Sequence, residues 1–160
     1  MFLIKNGKDH LSVRSLDLVM KNPLNEKEKT TYSCNGFSIA EDCSSKSKSQ
    51  KECVKDLGIC RRSNGGGNGG GSNTVRPNIR ATTSSPLKEL KFEKMVVSMG
   101  ADGTKDDVHV KLCSQDGTQM CCDSGELSHF LSSEWVANKK ETWDSGDFGK
   151  CKKQIFKVLN

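Results

Sequence analysis

Residues Gly100–Leu127, GADGTKDDVHVKLCSQDGTQMCCDSGEL, decide how the chain folds. Val108, Val110 and Leu112 alternate with Asp107, His109 and Lys111, so a strand here presents one apolar face and one polar face. GADGTKD precedes it and SQDGTQ follows it, both rich in residues that accept turn geometry, and a second extended run, QMCCDSGEL, comes next. On a strand Cys121 and Cys122 face opposite ways, so they are expected to bond to different partners, one across the core and one on the outer face.

Outward from this stretch the pattern stays β. KFEKMVVSM lies before it and KKQIFKVLN at the end of the chain, with one helical turn expected at HFLSSEW; DSGDFG reads as loop, and the Phe and Trp residues of the region read as sandwich core. At the other end of the chain MFLI, LSVRSLDLVM and TTYSCNGFSI read as extended runs. In Leu11–Met20 the apolar parity changes between Val13 and Leu16, which predicts a bulge or break near Arg14–Ser15. Asn6–Gly7 is a hairpin signal if Phe2–Ile4 pairs with the run that follows. Ser44–Asp56 reads as a short polar helix or as a loop tied down by Cys43, Cys53 and Cys60.

These observations divide the 160 residues into strands at 1–40, a Cys-rich connecting segment at 41–62, a Gly-rich basic linker of weak order at 63–86, and strands at 87–160. The net charge of +5 sits in the middle: the spans 1–41, 42–90 and 91–160 carry +1, +5 and −1. A basic excess confined to the Gly-rich middle, where LGICRRSNGGG lacks interleaved aromatics, fits a solubilising tether and argues against a nucleic-acid surface.

Eight cysteines, Cys34, Cys43, Cys53, Cys60, Cys113, Cys121, Cys122 and Cys151, form an even and dense set that points to disulfides and an oxidising, extracellular location; connectivity stays open. No apolar run is long enough to span a bilayer. MFLIKNGKDH turns polar too soon for a signal peptide, so secretion implies a leader that is removed from a longer precursor. Adjacent cysteines lack the spacing of a zinc pair. His10, His109 and His129 stand in no defensible nucleophile or zinc-protease pattern, and GGGNGGG lacks the Lys-Ser/Thr of a phosphate loop, so the chain reads as a non-enzyme. Asp102, Asp106 and Asp107, then Asp123 and Glu126, then Asp144 and Asp147 occupy turns beside strands, where hard oxygen ligands suit Ca²⁺.

The stretch Gly100–Leu127, together with Trp143 and DSGDFGKCKKQIFKV, resembles the opening half of the PLAT (lipoxygenase-homology) family of β-sandwiches, related in shape to C2 domains. SLDLVMKNPLNEKEKTTYSCNGF at 15–37 resembles its closing half, with Leu16–Asp17–Leu18–Val19, Tyr32, Cys34, Asn35 and Phe37 at matching places. The halves stand in permuted order. The resemblance implies an antiparallel β-sandwich that is circularly permuted in one chain, completed by strand exchange with another copy or precursor domain, or cut from two tandem repeats. It also implies calcium in the loops holding Asp102, Asp106, Asp107, Asp123 and Glu126. Its functional implication is a secreted interaction or adhesion module, such as a matrix-protein repeat, whose loops bind an extracellular protein, a lipid surface or a glycan. A small secreted effector or toxin is the alternative.

Overall fold

A computed structural model describes residues 1–6, 9–39, 52–56, 60–63, 86–105, 107–118, 120–127 and 135–159. The strands in chain order are β1 (Phe2–Asn6), β2 (Leu11–Lys21), β3 (Lys29–Ile39), β4 (Glu52–Asp56), β5 (Arg61–Ser63), β6 (Leu87–Met99), β7 (Asp107–Cys113), β8 (Cys121–Asp123), β9 (Lys140–Asp144) and β10 (Ile155–Leu159). A 3₁₀ turn, Gly149–Lys153, leads into β10. The fold is all-β. A four-stranded sheet runs β4-β1-β7-β8 and a six-stranded sheet runs β10-β6-β2-β3-β5, with β9 also on β6; every pairing is antiparallel.

The alternation predicted in β7 is present: Val108, Val110 and Leu112 are buried. They face Leu11, Leu16, Phe92 and their neighbours in a single apolar core between the sheets. Strands far apart in sequence build both sheets, since β1 pairs β7 and β2 pairs β6. The predicted break in β2 is a register shift between Val13 and Ser15, which restores Leu16, Leu18 and Met20 to the inner face. A second shift, opposite Val19–Met20, leaves Glu93 as the extra residue of β6. That bulge separates the β10 half of the β6 edge from the β9 half, and its free carbonyl accepts Ser145 N–H at 2.8 Å.

Two sequence readings are corrected. Asn6–Gly7 does not turn β1 back onto β2, because the strands belong to different sheets. Leu3 and Leu11 are both fully buried in the common core, so the chain crosses from one layer to the other between them. Glu52–Asp56 is a strand, not a helix or loop: it supplies the partner that the outer edge of β1 needs for its backbone groups. The remainder of Ser44–Asp56, residues 64–85 of the linker and residues 129–134 of the expected helical turn lie outside the described residues.

Three disulfides are described. Cys122–Cys151 ties β8 to the 3₁₀ turn before β10, and so joins the two sheets. Cys34–Cys60 ties β3 to the residue preceding β5, and Cys113–Cys121 closes the β7–β8 hairpin. The adjacent cysteines thus bond to different partners, Cys122 buried and Cys121 half-buried. Cys43 and the side chain of Cys53 lie outside the described residues. Phe92 stacks on Phe148 at 4.1 Å and Trp135 on Trp143 at 4.7 Å between ring centroids, completing the aromatic core.

Candidate binding cleft

The acids singled out in the sequence divide between locations. Asp102 follows β6; its Oδ2 lies 3.0 Å from His10 Nδ1, and its carbonyl accepts Ser12 N–H at 3.0 Å. Asp107 opens β7 in register with Asn6, and Glu126 follows Gly125, whose φ of 73° suits glycine; both acids are exposed. The strand directions bring Asp102, Asp107 and Glu126 to one end of the sandwich. Asp123 lies farther along, opposite Lys111, where its Oδ1 accepts Gly125 N–H at 2.8 Å and sits 3.3 Å from His109 Nδ1. Asp144 and Asp147 close a turn on each other after β9. Asp106 is outside the described residues. Among the described residues no three His, Cys, Asp or Glu side chains gather as a metal cluster.

The apolar site is at the opposite end, marked by the β2–β3 turn. Both partners of β6 extend there, with Leu87 paired to Leu159, so the six-stranded sheet outruns the shorter four-stranded one. Among the described residues nothing covers the inner face there, and it forms a cleft of about 540 Å³, counting its open mouth. Leu18, Met20, Tyr32, Phe156 and Val158 line one wall, and Met1, Leu112 and Cys113 the other. The β7–β8 turn braces the second wall against β10: Gln115 N–H donates to the Lys157 carbonyl at 2.7 Å, Lys157 N–H to Ser114 Oγ at 3.2 Å, and Leu159 N–H to Gln115 Oε1 at 2.9 Å.

Large apolar residues project around the same end. Leu24, at the tip of the β2–β3 turn, is 93% exposed, and Leu87, Met120 and Leu159 are each near half exposed. Lysines surround them and hold the turn in place. Lys88 Nζ meets Glu28 at 2.5 Å, Lys21 Nζ meets Glu26 at 2.9 Å, and Lys29 Nζ reaches Glu93 on β6 at 2.6 Å. The hydrogen bond from Lys88, then that from Asn22, holds the Glu28 carboxyl below its ordinary range; Lys21 does the same for Glu26. The Thr118 hydroxyl and amide lower Asp116 in the β7–β8 turn. These contributions are present above the unfolded carboxylate range and are lost as pH falls through the lowered folded values.

Tyr32 is the only tyrosine of the chain, which makes the cleft directly observable. Burial pushes its phenol above the ordinary value, with Arg62 opposing in part. Its folded-state contribution is therefore complete below the unfolded phenol pKa and lost as pH rises through the higher folded value. An ultraviolet titration should show this one phenol ionising later in native protein than in urea; coincident curves would place Tyr32 in open solvent.

Sequence reasoning missed the cleft because it arises from the unequal reach of two sheets. It also missed Lys5, fully buried on the inner face of β1. The parity of Leu3, two residues earlier, was the available sign. No protein-family model, curated protein or solved structure matches the chain. Among the described residues no helix is long and apolar enough to cross a membrane.

Proposed function

We propose that the protein is a non-enzymatic, secreted interaction module that engages a lipid surface with the cleft end of its sandwich. The observation that carries this reading is the coincidence, at one end, of an open apolar cleft with the projecting side chains Leu24, Leu87, Met120 and Leu159, ringed by lysine–glutamate pairs. Apolar side chains that insert among acyl chains, with lysine stems lying along the interface, are what such a surface requires. The disulfides and the resemblance to PLAT domains support an extracellular setting and a binding role.

The test is flotation with phosphatidylserine–phosphatidylcholine vesicles. Wild-type protein should float, and Leu24→Asp and Leu159→Asp should each weaken binding about tenfold or more, since each forfeits the burial of one leucine. Failure to float, or unchanged flotation of both variants, would overturn the reading.

A further inference from the structure

The three described disulfides differ in access. Cys34, Cys60, Cys122 and Cys151 are all buried, whereas Cys113 and Cys121 are both half-buried. The Cys113–Cys121 bond borders an open cup lined by Lys111, Cys113, Ser114, Gln115, Gly117 and Cys121. Cys113 and Gln115 also line the apolar cleft, so the cysteine-closed turn separates the two depressions. The arrangement gives thiol exchange an approach from solvent, and the exposed Lys111 lines the same cup as the two sulfurs.

We propose that Cys113–Cys121 is a thiol-exchange site through which a low-molecular-weight thiol loosens one wall of the binding cleft. The thiolate attacks one sulfur, forming a mixed disulfide as the Cys113–Cys121 bond breaks and the other cysteine leaves as thiolate. A second thiolate then attacks the mixed disulfide, releasing the oxidised thiol dimer and the second cysteine thiolate. Two thiols thus supply the two electrons. The bond spans only 8 residues, against 26 and 29 for the other two, so its loss frees the least chain entropy and leaves the sandwich folded. What it frees is the Ser114–Met120 turn, whose Ser114 and Gln115 brace β10. A loosened wall no longer presents a pre-organised cleft.

The site itself is independent of the lipid reading; its consequence for binding rests on that reading, and the test separates them. Oxidised full-length protein is exposed to graded glutathione, free thiols are capped with one alkylating tag, and the remainder are capped with another after full reduction. Peptide mass mapping should find Cys113 and Cys121 open at about tenfold less glutathione than Cys34, Cys60, Cys122 or Cys151. Near-ultraviolet dichroism should persist while the amides of Gln115, Lys157 and Leu159 lose hydrogen-exchange protection. Simultaneous or earlier opening of either buried bond, or unchanged protection after Cys113–Cys121 opens, would overturn the exchange site. The double variant Cys113→Ser, Cys121→Ser should show the lowered protection without glutathione and no further change with it; full protection in that variant would also overturn the proposal. Flotation reads the lipid consequence alone: affinity should fall on reduction in step with the amide change. A wild-type protein that never floats but shows both the labelling order and the amide loss would sink the lipid reading and leave the exchange site standing.

Discussion

Trp143→Ala is expected to lower the unfolding free energy by about 4 kcal/mol. Trp143 is almost fully buried, stacks on Trp135, and donates its indole N–H to the Leu127 carbonyl at 3.0 Å. It also lies opposite Met95 in the β9–β6 pair, and so links the segment after β8 to the six-stranded sheet. Truncation leaves a large cavity and a buried carbonyl without that donor, two losses that add. Trp143→Phe keeps most of the ring volume and should cost about half as much. Urea denaturation of both variants measures this, and a loss below about 1 kcal/mol for the alanine would show that the aromatic pair is not part of the core.

Removal of the inter-sheet disulfide is the other large effect. The double variant Cys122→Ala, Cys151→Ala should lose about 3.5 kcal/mol from loop closure, and Cys113→Ala, Cys121→Ala about 2.5 kcal/mol. The ordering follows from separations of 29 and 8 residues, and from the burial of the first pair at the junction of the sheets. Thermal unfolding of the two variants under identical conditions gives the comparison. A larger loss from the hairpin bond would mean that the β7–β8 turn, not the junction through Cys151, holds the sheets together.

Legibility in the sequence followed the range of the interaction. Val108–Leu112 alternates because one strand lies between core and solvent, and the parity change in Leu11–Met20 records a bulge in that strand; both are local. Asn6–Gly7 misled because hairpin chemistry is local, whereas the placement of β1 and β2 in separate sheets depends on where β4, β6 and β7 lie. Glu52–Asp56 looked polar because an edge strand needs few apolar residues, and its role appears only beside β1. The acids of the turns were visible as residue types, but their neighbours were not: His10 at Asp102 is 92 positions away in the chain. The cleft was the least legible feature. Met20, Tyr32 and Val158 lie in runs that read only as extended, and among the described residues the unequal lengths of the sheets leave them uncovered at one end.

Orientation on a membrane separates the two ends of the molecule, and Tyr32 and His10 mark them. Tyr32 lies in the cleft; His10, paired with Asp102, lies at the acidic end. The most direct measurement is nuclear magnetic resonance of protein carrying isotope-labelled tyrosine and histidine rings, with anionic nanodiscs containing a spin-labelled lipid. The single tyrosine removes ambiguity of assignment at the cleft. Docking by the cleft end should broaden the Tyr32 ring resonances strongly and leave those of His10 sharp. Broadening of His10 with Tyr32 unaffected, or of neither, would contradict the assignment of the cleft end as the lipid-binding face.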